Sequence, residues 1–208
     1  MILKPLVLFT GPEASGKTTL ACLLKAYLEK QGFKVKIVRL RGTHTLAYIM
    51  MRILRDLAGL RGKELHFYKF KIPPKLRQFW IYVETFSIIP LIMMNYYIMR
   101  GEYAIISERS IIDVIVWLLT GINESIHMLL TSKSLKLLVL LSAKYQPRTF
   151  YVIASPQVLT SRKPIEKELI VKMLPYYNAL ARYLHLNTVN TSSCNPQDCL
   201  NQILKVIE

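Results

Sequence analysis

The sequence predicts an α/β fold in which helices flank a mostly parallel β-sheet. Three observations support this prediction. Residues 5–10 contain the apolar run L-V-L-F and resemble a buried strand, and a helical pattern over residues 16–31 follows across a glycine-containing turn. Residues 33–40 then alternate between apolar and polar side chains, as a second strand would. Together these segments form a βαβ unit, whose crossover helix is typical of parallel sheets.

The remaining segments continue this alternation. Gly32 suits the position just after the first helix, where a glycine often ends the helix. Further helices are predicted over residues 44–58, 78–99, 110–119, about 124–142, from about 156, over 168–184, and from 195 to the end. Further strands are predicted over residues 102–107, 149–154 and 187–191. The basic segment 61–77, with interleaved aromatics and a Pro-Pro break, is predicted to be a loop or a mobile element. Since no repeat or linker stands out, we expect a single domain over residues 1–208.

Composition narrows the possible partners. The chain has 28 Lys and Arg against 13 Asp and Glu, a formal net charge of +15. Such an excess indicates anionic partners, namely nucleotides, nucleic acid or an anionic membrane surface. The cysteines at 22, 194 and 199 are odd in number and form no C-x-x-C pair. We therefore expect a reducing, cytoplasmic location with free thiols, a Cys194–Cys199 disulfide being the alternative.

A second apolar run, over residues 81–99, is nearly long enough to cross a bilayer. Glu84, Pro90 and Asn95 interrupt it, and a carboxylate inside a membrane is costly. We therefore predict a buried helix and no membrane span.

Residues 11–19, G-P-E-A-S-G-K-T-T, match the phosphate-loop pattern G-x-x-x-x-G-K-[ST] between a strand and a helix. Glycines let backbone N–H groups wrap phosphates, and the helix N-terminus adds its positive dipole end. Lys17 is expected to reach the β- and γ-phosphates, and Thr18 to bind Mg²⁺. The predicted cofactor is therefore Mg²⁺ with ATP. The predicted ATP-binding residues are Gly11, Pro12, Glu13, Ala14, Ser15, Gly16, Lys17, Thr18 and Thr19.

A second candidate constellation, I-I-S-E-R-S, follows the predicted strand 102–107. A carboxylate at the carboxyl end of a parallel strand faces the crevice where α/β proteins bind ligands. Glu108 is therefore predicted to hold Mg²⁺ through water, and Arg109 to bridge donor and acceptor phosphates. The alternative is a plain surface Glu–Arg pair.

These two stretches resemble motifs of the thymidylate kinase family. F-T-G-P-E-A-S-G-K-T-T is similar to its F-E-G-x-D-G-x-G-K-T-T, and R-G-E-Y-A-I-I-S-E-R-S is similar to its G-x-x-V-I-x-D-R-Y. Q-P-R-T-F-Y-V-I-A-S-P-Q-V-L-T-S-R resembles a third family segment, so the match follows most of the chain in order. The E-R-S triplet and Ala14 also resemble deoxynucleoside kinases. The resemblance implies a P-loop NTPase fold with a short lid at about 157–168.

The same resemblance implies roles for further residues. Arg162 aligns with the arginine that opens the lid, and Glu13 with a loop carboxylate near the acceptor. Arg148, Lys163 and Lys167 are nearby alternatives to the lid arginine. Tyr82 corresponds to an aromatic residue that stacks on the acceptor base, or else is a core tyrosine.

The end of the second predicted strand bears on the acceptor. A nucleoside hydroxyl loses a proton during attack, so a carboxylate base helps, whereas a monophosphate is already ionised and needs cations. In the similar deoxynucleoside kinases this base follows the second strand, whereas thymidylate kinases have an arginine at that place. The present sequence has Arg39 and Arg41 there and no carboxylate. It therefore favours a phosphorylated acceptor, bound by Arg39 or Arg41, with Arg39 the closer match to the family.

Other positions depart from the family pattern. Phe86 stands where the family has an acceptor-phosphate arginine, and Trp117-Leu118 where it has a base-contacting Tyr-Gln. We predict a nucleoside monophosphate kinase with dTMP as the leading acceptor. The alternatives are a deoxynucleoside kinase and a non-catalytic or nucleic-acid-associated ATP-binding protein, and a homodimer is left open.

Overall fold

The computed structural model describes residues 4–40, 46–57, 72–122 and 125–207. The predictions for Arg41 and for the segment 61–71 lie outside these residues. The strands are β1 (Leu6–Thr10), β2 (Val35–Val38), β3 (Ala104–Ser107), β4 (Thr149–Ile153) and β5 (Asn187–Asn190). The helices are α1 (Lys17–Lys30), α2 (Leu46–Leu57), α3 (Arg77–Met93), α4 (Ile111–Gly121), α5 (Met128–Thr131), α6 (Lys133–Lys144), α7 (Pro156–Arg162), α8 (Lys167–Tyr183) and α9 (Pro196–Ile207).

The five strands found within the described residues form one parallel sheet in the order β2-β3-β1-β4-β5, which confirms the predicted fold class. Strand β1 is central, with Leu6 paired to Ile105 of β3 and Leu8 paired to Thr149 of β4. Because all strands are parallel, their carboxyl ends meet at the same edge of the sheet. The phosphate loop after β1 and Glu108 after β3 therefore lie at one edge.

Two apolar clusters cover the two faces of the sheet. Leu6 and Leu8 join the larger cluster with α3, α4, α6 and α8, while Val7 and Phe9 join the smaller one with α1 and α9. Successive strand side chains point to opposite faces, so a strand covered on both sides is apolar at every position. The unbroken run L-V-L-F in β1 reflects this double burial.

Helix α3 is the predicted apolar helix. It continues through a π-helical turn, Met94–Ile98, and a 3₁₀ turn, Met99–Gly101. By length and composition the stretch Pro74–Gly101 could cross a membrane. Its inner face, however, packs into the larger cluster through Trp80, Ile81, Ile88 and Ile92. The expectation of a buried core helix is thus confirmed, and its outer face exposes Phe79, Phe86, Met93, Met94 and Ile98.

Two predictions are corrected by the structure. The predicted helix 124–142 is divided, because Ser132 adopts an extended conformation and its hydroxyl accepts a hydrogen bond from the Leu135 amide at the start of α6. The prediction of free thiols at Cys194 and Cys199 is wrong, since these residues form a disulfide. The turn before α9 brings their Cα atoms within 5.7 Å, a normal disulfide separation. Cys22 is free and exposed.

Candidate active site

The phosphate loop depends on two glycines with positive φ. At Gly11, φ is 138°, and an added Cβ would lie 2.2 Å from the carbonyl oxygen of Val152 in the neighbouring strand β4. Gly16, with φ 94°, is the residue before the first turn of α1. These conformations are accessible to glycine at little steric cost. They turn the chain sharply from β1 into α1 and leave the helix N-terminus facing the cleft.

Lys17 is buried inside the loop. Its ammonium donates to the carbonyl oxygens of Gly11 at 2.8 Å and Pro12 at 2.6 Å, and to Ser15 Oγ at 3.2 Å. Burial lowers the pKa of Lys17 to about 8, although Asp113 opposes this shift. Because a buried cation is stabilised by a nearby anion, a phosphate bound in the loop would restore the charged form of Lys17.

Glu108 connects the loop with β2. It follows β3, and its side chain is almost fully buried. Its Oε2 accepts hydrogen bonds from Thr18 Oγ1 at 3.2 Å and from Arg39 Nε at 2.5 Å. The hydrogen bond to Glu108 raises the pKa of Arg39, which therefore stays charged.

The Thr18 hydroxyl and the Glu108 carboxylate are the groups of the cleft that would hold a magnesium ion. Both groups offer the hard oxygen ligands that Mg²⁺ prefers, and Mg²⁺ usually takes its other ligands from water and substrate phosphates. Among the described residues, no group of three or more His, Cys, Asp or Glu side chains could hold a metal ion. The donor set therefore fits Mg²⁺ carried in with a nucleotide better than a metal held by protein ligands alone.

Arg109 lies at the centre of a buried charge network. It pairs with Glu13 of the phosphate loop, and its Nη1 lies 3.5 Å from Asp113 Oδ1. Asp113 in turn accepts hydrogen bonds from the Tyr177 hydroxyl at 2.9 Å and from the Ser110 amide at 2.8 Å. Burial alone would lower the pKa of Arg109, but Asp113 and Glu13 reverse this effect and raise it. The guanidinium is therefore a fixed positive charge.

Glu13 also remains charged. Burial alone would raise its pKa, but Arg109, Lys17 and Lys163 together lower it below the ordinary value. Its second oxygen, Oε2, lies 4.0 Å from Lys163 Nζ. The loop carboxylate is therefore held between two cations, Arg109 and Lys163.

The end of α7 touches the phosphate loop from the other side. Arg162 Nη1 donates to the Ala14 carbonyl oxygen at 3.1 Å and lies 3.4 Å from Thr191 Oγ1. Ala14 itself has a positive φ of 61°, which is uncommon for a residue other than glycine. The predicted lid arginine thus contacts the loop directly.

These groups line one cleft of about 690 Å³. Its walls are formed by residues 13–20 of the phosphate loop and α1, by Arg39, Glu108 and Arg109 near β2 and β3, by Arg162 and Lys163 at the end of α7, and by Thr191, Cys194, Pro196 and Cys199 near β5 and α9. Gly11 and Pro12, the first two residues of the loop, are buried and do not line the cleft. Tyr82 is not among the lining residues; it lies half-buried on α3, stacked against Phe86 with ring centroids 6.4 Å apart.

Sequence reasoning missed several neighbours of the cleft. Asp113 follows Arg109 by four residues, so helical spacing could have revealed it. Tyr177 and Thr191 carry no comparable local signal, because both come from distant segments: Tyr177 contacts Asp113 behind the cleft, and Thr191 lines the cleft itself.

Comparison with known proteins establishes the fold. No protein-family model and no curated protein matches the chain. Among solved structures, the chain is similar to a thymidylate kinase from Candida albicans, with a TM-score of 0.61 and 13% identity over 99% of this chain and 91% of that one. It is also similar to a thymidylate kinase from Ehrlichia chaffeensis, with a TM-score of 0.54 and 16% identity over 100% of both chains.

A third similar structure is YorR of Bacillus subtilis, solved in complex with phosphorylated GDP. Its TM-score is 0.53, with 15% identity over 97% of this chain and 95% of that one. The chain therefore has the P-loop kinase fold of thymidylate kinases. At these identities the likeness extends to the fold alone.

Proposed function

We propose that the protein is an Mg-ATP-dependent nucleoside monophosphate kinase, with dTMP as the leading acceptor. The observation that supports this proposal is the convergence of three arginines, Arg39, Arg109 and Arg162, on the phosphate loop in one cleft. Phosphoryl transfer between two anions needs positive charge around the transferred group more than it needs covalent chemistry. Such a cluster of cations suits a donor and an acceptor that both carry phosphates.

On the donor side, the loop amides and Lys17 hold the phosphates of ATP. Thr18 and Glu108 would hold the magnesium ion, which neutralises charge on the donor phosphates when bound. Arg162 reaches the same phosphates from the end of α7, opposite Arg39 and Arg109. As the predicted lid arginine, it would add its charge close to the transferred phosphate.

On the acceptor side, the state of the carboxylates favours a monophosphate over a nucleoside. Attack by a nucleoside hydroxyl is assisted by a base that is free to accept its proton within hydrogen-bonding distance. Glu108 is engaged by Arg39 and Thr18, and Glu13 by Arg109 and Lys163. A monophosphate needs no such base, because its attacking oxygen is already ionised.

The acceptor base requires a direct assay. The thymidylate kinase of Candida albicans has broad substrate specificity, and YorR was solved with phosphorylated GDP. The purified protein should therefore be incubated with Mg-ATP and a panel containing dTMP, dUMP, dGMP, GMP, thymidine and deoxyguanosine. ADP formation by coupled assay and product identification by chromatography are the readouts. We expect turnover with monophosphates and dTMP as the best of them.

Glu108→Gln and Glu102→Gln form a matched pair of variants. Glu108 is buried beside Thr18, whereas Glu102 is exposed in the turn before β3 and pairs with Lys34. We expect Glu108→Gln to lower kcat by about two orders of magnitude and to raise the Mg²⁺ requirement, with Glu102→Gln unchanged. Turnover confined to nucleosides would refute the monophosphate assignment. ATP binding without transfer to any member of the panel would refute catalysis and favour a nucleotide sensor.

A further inference from the structure

The Cys194–Cys199 disulfide lines the same cleft as the phosphate loop, and the proposed transfer machinery does not use it. Cys199 is 1% exposed and belongs to the smaller apolar cluster beneath α1 and α9, whereas Cys194 is half-buried at the cleft wall. The bond therefore ties the turn after β5 to the core of the protein.

The turn between β5 and α9 is also tied to the phosphate loop at its beginning. Thr191 Oγ1 donates to the Ser15 carbonyl oxygen at 2.9 Å and lies 3.3 Å from the Ile153 carbonyl oxygen. A Cβ added at Gly16 would lie 3.3 Å from the Thr191 methyl group, so the two segments are in close contact. The beginning of the turn is therefore anchored to the phosphate loop by contacts that do not involve the disulfide.

The far end of the turn is held by the start of α9. Asn195 Oδ1 accepts a hydrogen bond from the Asp198 amide at 2.9 Å, and the backbone carbonyl oxygen of Asn195 accepts one from the Cys199 amide at 3.0 Å. The disulfide is the covalent link within this arrangement. Breaking it would release Cys194 from the buried Cys199 while Thr191 kept its hydrogen bonds.

Sheet order places this wall on the donor side. The phosphate loop follows the central strand β1, and the cations Arg39 and Arg109 lie towards β2 and β3. If these cations meet the acceptor, the nucleoside of the donor leaves the loop in the opposite direction, towards β4 and β5. The wall there contains the disulfide and Pro196, and such apolar, polarisable groups suit the flat face of a nucleobase.

We propose that the Cys194–Cys199 disulfide positions the wall against which the donor nucleoside binds, and that its reduction weakens nucleotide binding while leaving phosphate binding intact. This inference rests on the proposed function, because it takes the ligand of the loop to be a nucleotide. Reduction is a two-electron step. The S–S bond breaks, each sulfur gains a proton and an electron, and the added dithiol is oxidised to its cyclic disulfide.

The test compares two ligands by isothermal titration calorimetry, Mg-ADP and Mg-tripolyphosphate. Tripolyphosphate has phosphates for the loop and no nucleoside. With the oxidised protein as reference, we expect dithiothreitol to raise the Kd for ADP about fivefold, because a wall that must be ordered on binding costs affinity. The Kd for tripolyphosphate should stay the same within a factor of about two.

Cys194→Ser should reproduce the effect of reduction without a reductant, and Cys22→Ser is the matched control. Cys22 is an exposed residue of α1 and does not line the cleft, so its replacement should change neither Kd nor the response to dithiothreitol. Thiol titration of the denatured protein should find one free thiol before reduction and three after it, since the chain has three cysteines.

The outcomes separate this inference from the proposed function. Failure of both ligands to bind would contradict the proposed function. If both ligands bind and the Kd for ADP changes neither on reduction nor in Cys194→Ser, the disulfide inference alone would be overturned. Equal weakening of both ligands, which would mean a general loosening of the cleft, or three free thiols in the protein as purified would overturn it as well. Thermal unfolding of each variant shows whether it is folded; the closed loop is short, so only a small loss of stability is expected.

Discussion

Burial of Lys17 should make the stability of the ligand-free protein depend on pH. A Lys17→Met variant should lack this part of the pH dependence. The pKa of Lys17 is lowered from 10.5 to about 8 in the folded protein, chiefly because burial disfavours its charged form. Between these two values the unfolded chain holds more protons than the folded protein, so stability rises with pH. Below about pH 8 both states are protonated, and the folded protein bears the full cost of the buried charge.

The magnitude follows from the two pKa values. The shift of 10.5 − 8, or about 2.5 pKa units, corresponds to about 3 kcal/mol at full amplitude. Between about pH 7 and about pH 9.5, where the lysine of the unfolded chain is still mostly charged, Lys17 should increase the free energy of unfolding by about 2 kcal/mol. Methionine has no charge to bury, so the stability difference, wild type minus variant, should move in favour of the wild type by about this amount.

Urea unfolding followed by circular dichroism at the two pH values measures this difference. Subtracting the variant removes the contribution of other titrating groups that both proteins share. A difference that stays constant within about 0.5 kcal/mol would show that Lys17 is not desolvated as its contacts indicate.

The same reasoning predicts that Mg-ADP binding weakens above about pH 8, because phosphates favour the protonated lysine, and that binding at about pH 8.5 takes up a proton.

Two further predictions concern stability. Gly11→Ala should destabilise the protein by about 3 kcal/mol or more and lower Tm by about 6–12 °C, because the added Cβ would collide with the Val152 carbonyl oxygen. The control Gly32→Ala, whose added Cβ has no atom within 4 Å, should cost only about 1 kcal/mol. Equal losses of calorimetric Tm in the two variants would contradict the steric argument. Asp113→Asn removes a buried counter-charge of Arg109, so it should lower the free energy of unfolding in urea by about 3 kcal/mol. It should also lower kcat more than it raises the KM for ATP. An unchanged kcat would show that Arg109 keeps its position without Asp113.

The regular elements were predictable because their signals are local. Residues 6–9 are an unbroken apolar run and residues 16–31 repeat leucines at helical spacing, so β1 and α1 follow from the pattern of neighbouring side chains. The division at Ser132 was not predicted, because an apolar pattern continues across it and the break depends on one capping hydroxyl. The apolar helix was predictable as buried although it is nearly long enough to span a bilayer, because Glu84, Pro90 and Asn95 interrupt the apolar run.

The parts of the candidate site that consist of residues adjacent in the sequence could be predicted, and the contacts between distant segments could not. The phosphate loop is a single stretch of sequence whose glycines are required by the backbone conformation, and Glu108-Arg109 directly follows the end of a strand. By contrast, the link from Arg109 through Asp113 to Tyr177 joins α4 to α8. Such a contact between distant segments depends on how the helices pack.

By itself, then, the sequence determined the phosphate loop, the parallel α/β architecture and the concentration of positive charge, because each is written in the order and spacing of adjacent residues. Only the tertiary structure decided which cations meet the loop, that both cleft carboxylates are already paired, and that Cys194 and Cys199 are bonded at the cleft wall. These features depend on distances between side chains from separate elements. Such distances are set by the order of strands in the sheet and by helix packing, which local patterns constrain only weakly.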